Sequence, residues 1–315
     1  MSRRPKCELC LIAAVSCTGS CQLLGCNSVV HMKHPKVSDC VKVFDSLWPP
    51  ALAESWDSVG LAVGDPDAEV RSILLALDPM DAVIAEAVVL EADLVFNHHP
   101  LILKPVKSVN AATLKGGAVH TLISNDIALF NAHTNADSAR GGVSDVLIAL
   151  LGITDALPLA PHTPDQETES GTLPTGIGRV GDLPRPTPVR DIARILAEKL
   201  PRTTTGVRIA GDPAATVTRV AVCGGAGDSL FDEVRASGAE VYITADLRHH
   251  PATEACDTAN RGDGRPQLID VSHWASETVW LDSAARELEA EFAERGFTVA
   301  LQRSAINTDP WVERY

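Results

Sequence analysis

The sequence predicts an α/β protein with two similar α/β lobes, built on mixed, largely parallel sheets and facing each other across a cleft. Apolar, strand-like runs alternate with segments of helical spacing, a pattern typical of parallel sheets covered by helices. This alternation occurs twice, before and after a segment at 156–188 that carries seven prolines. With 315 residues, of which 45% are hydrophobic, the chain is long enough to bury a sizeable core.

The first lobe is predicted to span 37–155. It opens with a helix that Ser38 or Asp39 can cap and that the pair Pro49-Pro50 ends. Strands and helices then alternate, and the predicted elements are a strand at Val70–Leu77, a helix at Asp81–Leu90, a strand at Leu94–Phe96, a helix at Thr113–Asn125, a strand at Ile127–Phe130 and a helix at Gly142–Leu151.

A linker is predicted at 156–175, since Pro158–Ser170 is rich in proline and polar residues, and the second lobe at 176–315. The elements predicted for this lobe are strands at Ile177–Val180, Val217–Cys223, Glu240–Thr244, Leu268–Val271 and Thr298–Leu301, and helices at Val189–Leu200, Ser229–Ala236 and Ser276–Arg295. The last strand is expected to end the sheet of this lobe.

Composition narrows the class of protein. The chain has 27 basic and 41 acidic residues, a net charge of −14, which argues against general binding to nucleic-acid phosphates. No apolar stretch approaches the roughly 20 residues that span a bilayer. Cys223 lies in an apolar run, and only Cys256 follows it, so the globular part offers no disulfide framework. A cytoplasmic protein without a membrane partner is therefore expected.

Residues 1–36 form a Cys-rich extension that does not match the rest of the chain. A secretory signal and a small zinc knuckle that starts at Cys7 and Cys10 are two interpretations. A tail, or a misassigned start with translation beginning at Met32, is the interpretation we favour, because regular structure is predicted only from Val37.

Histidines and carboxylates follow three predicted strands. His98 and His99 come after Leu94–Phe96, a segment from His133 to Asp137 follows Ile127–Phe130, and His273 follows Leu268–Val271. Because ligands bind beyond the carboxyl ends of parallel strands, these side chains are expected at one functional edge.

A helix that begins at His273 would present Glu277 on the same face, four residues later. Imidazole and carboxylate ligands together favour zinc, iron, manganese, cobalt or nickel over calcium or magnesium. Three histidines and two carboxylates exceed the needs of one tetrahedral ion and suffice for two bridged ions, an arrangement used for hydrolysis. A loop histidine taken alone is more often just a polar loop residue.

The run Gly224-Gly225-Ala226-Gly227 stands where a strand passes into a helix, a position at which backbone N–H groups can hold phosphate. It lacks the Lys-Ser/Thr ending and the full dinucleotide fingerprint. A tight β–α turn is therefore the favoured interpretation.

Several of these segments resemble one known family. The motifs occur in order, and they are Trp56–Leu61, Asn97–Ile102, His133–Asp137, Val222–Gly227, Tyr242–Asp246 and the pair His273 and Glu277. Over about 38–310 the chain resembles the Nif-three-like family, often labelled GTP cyclohydrolase 1 type 2 homologs.

This resemblance implies a dinuclear metal cleft between the lobes and assembly as a toroidal homohexamer. The metal ligands that it implies are His98, His99, Asp137, His273 and Glu277. His250 matches a further family histidine, and His250 and His133 are expected to transfer protons or to support the ligands.

Two functions remain open. One is a metal-dependent hydrolase that acts on a nucleotide or another phosphoester, with ring opening of GTP suggested by the family label. The alternative is a non-enzymatic protein that binds or traffics metal, or a regulatory interaction protein.

Overall fold

A computed structural model describes residues 33–162 and 174–315 and contains two mixed β-sheets with helices. The fold class is thus α/β, as predicted. The first 32 residues of the Cys-rich extension and residues 163–173 of the predicted linker lie outside the described residues. In the described part of the chain, no helix has the length and apolar character needed to cross a membrane.

One sheet has five strands in the order β1-β4-β3-β2-β11. Its strands are β1 (Gly60–Val63), β2 (Ser72–Ala76), β3 (Leu94–Asn97), β4 (Ala128–Asn131) and β11 (Ala300–Arg303). All neighbours are parallel except the edge strand β1. The helices in this part of the chain are α1 (Val37–Leu47), α2 (Asp81–Val89), α3 (Leu114–Ser124), α4 (Thr134–Ser138) and α5 (Val143–Ala149), with a short 3-10 turn at Pro50–Leu52. Of these, α5 packs against the six-stranded sheet.

The other sheet has six strands in the order β5-β6-β8-β9-β10-β7. Its strands are β5 (Leu157–Pro161), β6 (Gly176–Pro188), β7 (Arg208–Ala210), β8 (Thr216–Ala226), β9 (Val241–Ala245) and β10 (Gln267–Val271). Helices α6 (Val189–Lys199), α7 (Phe231–Ala236), α8 (His249–Arg261) and α9 (His273–Thr278) lie between or after these strands, whereas α10 (Leu281–Glu294) packs in the core of the five-stranded sheet. Only the β8–β9 and β9–β10 pairings are parallel, so the prediction of a largely parallel sheet is wrong for this half.

The C-terminal strand departs from the prediction in its partner. We expected Thr298–Leu301 to end the second sheet, but β11 pairs with β2 of the five-stranded sheet. Helix α10 brings the chain to the five-stranded sheet, because its buried Leu288 and Phe292 pack in the same core as Phe44 of α1. Strand pairing joins distant segments, and local periodicity does not specify it.

Three other differences have local causes. Part of the predicted linker is strand β5, paired antiparallel with a β6 much longer than expected. Helix α8 was missed because its buried positions are only Ala255 and Ala259, whose small side chains give little apolar periodicity. The helix predicted at Ser276–Arg295 is two helices, and the residue between them that precedes α10, Trp280, is fully buried.

An aromatic core lies directly beneath the region where the histidine loops meet. The Phe96 ring centroid lies 5.1 Å from that of Trp48 and 6.1 Å from that of Trp280. The Trp280 ring in turn contacts the imidazole of His98 at 5.5 Å between centroids, edge to face. Burial of these large rings stabilises the fold and also limits how His98 can move.

Candidate metal centre

The loop after β3 places two adjacent imidazoles in different surroundings. His98 is fully buried, and its Nδ1–H donates to the carbonyl oxygen of Ala132 at 2.8 Å. The Nδ1–H of His99 donates to Oδ1 of Asp78 at 2.7 Å, just beyond the end of β2. Both hydrogen bonds fix the tautomer that leaves Nε2 as the nitrogen available to a metal.

The loop after β4 supplies His133 and the short helix α4, which carries Asp137. The Nδ1–H of His133 donates to Oδ1 of Asp57 at 2.9 Å. Asp137 Oδ1 lies 3.7 Å from His98 Nε2. The side chains that follow β3 and β4 therefore meet at one edge of the sheet, because the carboxyl ends of two parallel strands lie at the same edge.

Helix α9 begins at the carboxyl end of β10 and brings in the ligands of the six-stranded sheet. The Ser272 hydroxyl caps it by accepting from the N–H of Ala275. The i, i+4 spacing puts His273 and Glu277 on one face, with His273 Nε2 3.1 Å from Glu277 Oε2. The same oxygen lies 3.0 Å from His99 Nε2, so ligands from the two sheets are in direct contact.

All four imidazoles share one orientation. Each donates from Nδ1 to an acceptor outside the cluster, and the acceptors are Ala132 O for His98, Asp78 for His99, Asp57 for His133 and Asp246 for His273. The Nε2 atoms face inward. This is the usual arrangement around metal-binding histidines, where an outer acceptor fixes the ring.

Two groups of side chains, which share His99, each bring their ring nitrogens or carboxylate oxygens within 4.8 Å of one another. They are His98 with His99 and His133, and His99 with His273 and Glu277. Within the described residues, three buried atoms facing this space lack a hydrogen-bond partner, namely His98 Nε2, Asp137 Oδ1 and Glu277 Oε2. Buried lone pairs of this kind are costly unless a cation or donor satisfies them, so these residues fit a metal site.

The pKa values show how strongly Glu277 attracts positive charge. Burial alone would lower the pKa of His99 and His273, but the Glu277 carboxylate and the outer aspartates raise these pKa values to about 10 and about 11. His98 has no such outer aspartate, and burial lowers its pKa to about 3. Burial, and next the charge of Glu277, raise the pKa of Asp137 to about 7. His98 is thus neutral and can offer its Nε2 lone pair to a cation.

The glycine run at the end of β8 has a role that sequence reasoning missed. Gly225 has φ of +66°, and a Cβ there would lie 2.2 Å from Glu277 Oε1 and 3.1 Å from His273 Nε2. Its N–H donates to the Ser276 hydroxyl at 3.0 Å. We favoured a tight β–α turn for this run, but Gly224–Ala226 is the end of strand β8, and the Glu277 carboxylate packs against it.

Three aspartates were also missed as orienting groups. Asp78 follows β2, Asp246 follows β9, and Asp57 precedes β1. Asp246 has φ of +54°, a conformation that non-glycine residues rarely adopt and that concentrates at functional sites. The signal was available for Asp78 and Asp246, because each follows a strand at the edge that carries the histidines.

The C-terminal segment after β11 reaches the same edge. The Thr308 hydroxyl donates to Oδ2 of Asp78, whose other oxygen accepts from His99. The Ser272 hydroxyl at the start of α9 donates to Asp309. One segment therefore contacts the supports of ligands from both sheets.

Two cavities, each of about 560 Å³, are lined by residues of the cluster and share His273. The tryptophan cavity is lined by His133, Asp137, His273 and Glu277 and by an outer wall that includes Trp56, Glu54, Ile177 and Leu230. The arginine cavity is lined by His99 and His273 and by an outer wall that includes Thr204, Thr205, Arg208, Trp311 and Arg314. A ligand in either cavity would thus contact residues of the cluster.

The structure brings the five predicted metal ligands together and places a ring nitrogen of His133 beside them. His250 lies elsewhere. It is exposed at the start of α8, contacts the ring of His249 at 5.2 Å between centroids, and lines neither cavity. Its predicted part in proton transfer or in support of the ligands stays a prediction.

A family model described as Duf34/NIF3 (NGG1p interacting factor 3) matches residues 35–310 of the chain. A protein of Streptomyces coelicolor named "GTP cyclohydrolase 1 type 2 homolog" is 48% identical over 277 residues, covering 88% of this chain and 94% of that protein. A Mycobacterium bovis protein of the same name is 36% identical, covering 88% of this chain and 96% of its own length.

Solved structures agree with the fold. A Bacillus cereus protein related to NIF3 superimposes with a TM-score of 0.79 at 24% identity, covering 89% of this chain and 99% of that one. The Staphylococcus aureus protein SA1388 gives a TM-score of 0.78 at 28% identity, with the same coverage.

Proposed function

The chain belongs to the Duf34/NIF3 family, as the motifs predicted, and from its site we propose a metal-dependent hydrolase that acts on a nucleotide or another phosphoester. We propose that it binds two divalent cations, through His98, His99, Asp137, His273 and Glu277. One observation carries the proposal: inward-facing Nε2 atoms and two carboxylates converge on a single buried space.

The position of Glu277 supports two cations over one. Its Oε1 lies 3.8 Å from His98 Nε2, whereas its Oε2 lies 3.0 Å from His99 Nε2 and 3.1 Å from His273 Nε2. The two oxygens of this carboxylate thus face different histidines, which suits a ligand that bridges two ions. Mixed nitrogen and oxygen donors favour zinc, iron, manganese, cobalt or nickel.

Two cations held there would supply a water acidified enough to act as a nucleophile near neutral pH. The residues would hold that water in a buried site and manage its protons. His133 suits this task, because its Nδ1–H is bound to Asp57 and its Nε2 faces the cluster, free to accept a proton and return it to a leaving group.

The substrate class is part of the proposal. Relatives that cover most of this chain are named as GTP cyclohydrolase homologs, so hydrolytic opening of the guanine ring of GTP is one reaction to test. Hydrolysis of a phosphoester uses the same activated water and is the other.

We also propose the toroidal homohexamer and a cytoplasmic location. Exposed apolar side chains on α2 and α3, at Val89, Leu114 and Ile123, provide surface that a subunit interface would cover. Light scattering of the purified protein should give six times the chain mass, and a monomer mass would contradict the hexamer.

The function is tested by metal content and turnover measured together. The purified protein should carry up to two divalent ions per chain, and a panel of GTP and phosphoesters should be hydrolysed before, but not after, chelation. The double variant His98→Ala with Glu277→Ala should lose the metal. A matched control, His120→Ala with Glu289→Ala, changes exposed residues of the same types on α3 and α10 and should keep it.

Unchanged metal content in the variant of His98 and Glu277 would show that these residues do not hold the metal. Stoichiometric metal without turnover on any substrate of the panel would instead exclude the hydrolase and favour the alternative, a protein that binds or traffics metal.

A further inference from the structure

The two cavities that meet at the cluster differ in charge. The arginine cavity is lined by two guanidinium groups, Arg208 and Arg314, of which Arg208 pairs with Asp270. The hydroxyls of Thr204 and Thr205 and the carboxylates of Asp78, Asp246, Asp309 and Glu313 line it as well. The tryptophan cavity has no Lys or Arg among the described residues that line it, and its outer wall carries Glu54. An anionic group can therefore meet a guanidinium in the arginine cavity but not among the described lining of the tryptophan cavity, which suits an uncharged group with N–H donors.

Trp56 gives the tryptophan cavity an exposed aromatic surface. The residue is 58% exposed, although large apolar side chains are usually covered in a folded protein. Its ring stands edge to face with the imidazole of His133, with 6.0 Å between centroids. A flat ring bound on Trp56 would therefore lie beside the groups that face the cations.

Glu54 adds a hydrogen-bond acceptor in the same wall. Its backbone N–H donates to the Thr134 hydroxyl at 2.9 Å, and its carbonyl accepts from the N–H of Asp57, so the loop is fixed to α4. The side chain is half-buried, and its carboxylate makes no hydrogen bond or ion pair with the described residues. A half-buried carboxylate of this kind is suited to accept from ligand N–H groups.

We propose that the tryptophan cavity binds a planar ring bearing N–H donors, the chemistry of a purine base such as guanine, by stacking on Trp56 and hydrogen bonding to Glu54. This rests on the proposed function, since it places that ring at the reacting groups. The phosphates of a nucleotide would then extend to the arginine cavity on the other side of the cluster.

The test measures binding of guanosine and inosine, which lack phosphate, by calorimetry on the zinc-loaded protein. Trp56→Ala should weaken guanosine binding about tenfold, equivalent to about 1.4 kcal/mol, and Trp56→Phe should retain most of it, because any aromatic face can stack. Glu54→Gln should remove the preference for guanosine over inosine, which lacks the 2-amino group.

Trp311→Ala is the matched control, since Trp311 is 67% exposed and lines only the arginine cavity. It should leave guanosine affinity unchanged. Equal affinities in Trp56→Ala and the unmodified protein, or a loss confined to Trp311→Ala, would overturn the proposal. Because Trp56 is exposed, its replacement should leave the thermal unfolding midpoint unchanged, which separates lost binding from lost folding.

The experiments can exclude the hydrolase and the ring-binding site independently of each other. Guanosine binding that depends on Trp56, without turnover of any substrate, would exclude the hydrolase and retain the ring site. Turnover of GTP with unchanged KM in Trp56→Ala would retain the hydrolase and exclude the ring site.

Discussion

The two sheets contribute unlike ligands to one space. His98, from the five-stranded sheet, is fully buried, donates to a backbone carbonyl, and has a pKa lowered to about 3. His273, from the six-stranded side, is 32% exposed and sits between Asp246 and Glu277, and its pKa is raised to about 11 against the effect of burial.

This difference shows that residue type alone does not set the chemistry of a ligand. The five-stranded edge provides a neutral imidazole held by backbone and aromatic packing. The six-stranded side provides the negative charge, because buried Glu277 keeps a pKa well below its usual range: burial opposes this, but His273 and His99 outweigh it. A cation held in this space would use both contributions, and variants on each side separate them.

The largest effect is expected from Gly225→Ala on the six-stranded side. The added Cβ would lie 2.2 Å from Glu277 Oε1 at a φ of +66°, so the carboxylate that joins the two sets of ligands must move. We expect metal affinity to fall at least about 100-fold, or about 2.7 kcal/mol, in competition with a fluorescent chelator.

Gly238→Ala is the control for the strain of placing a side chain at a positive φ. Gly238 has φ of +71°, and a Cβ added there would meet no atom within 4 Å, so this variant should lose about 1 kcal/mol of folding stability and no metal affinity. Equal metal affinity in Gly225→Ala and the unmodified protein would show that Glu277 does not depend on the glycine.

Replacing the outer aspartates should have an intermediate effect on metal affinity, and the effect should differ between an aspartate of the five-stranded sheet and one of the six-stranded sheet. Asp78→Asn and Asp246→Asn each weaken the support of one histidine, a change that typically costs about 10- to 100-fold in metal affinity. The Asp78 side chain is 17% exposed and that of Asp246 is 59% exposed. Because solvent screens the exposed pair, Asp78→Asn should have the greater effect. The reverse order in metal titrations would contradict this account of the two sides.

The smallest effect is expected from Thr308→Val. It removes the hydroxyl that donates to Asp78, so His99 keeps its direct partner but that partner is less firmly held. We expect a loss of a few-fold in metal affinity, about 1 kcal/mol, and a changed visible spectrum of the cobalt-loaded protein.

Ser304→Ala is the control for Thr308→Val. It removes a hydrogen bond from the same C-terminal segment to Glu86, away from the histidines. It should lower the free energy of unfolding without changing the cobalt spectrum. Identical spectra for both variants would show that Thr308 only anchors the segment.

The strands that carry the site could be predicted because their signals are local. Val70–Leu77 and Ile127–Phe130 are apolar runs bounded by turn residues, and both contain observed strands. The edge strand β7 and helix α8 were missed, since β7 is only three residues long and α8 buries only small alanines.

By itself, the sequence determined the α/β class, the family, and the placement of histidines after three strands, since each depends on short stretches of chain. Only the tertiary structure decided that Glu277 contacts His99, 178 positions earlier in the chain, and that Asp78, Asp57 and Asp246 hold the imidazoles. It also decided that β11 joins the first sheet. These contacts form between residues far apart in the chain, where packing and electrostatics select the partner and local pattern carries no information about it.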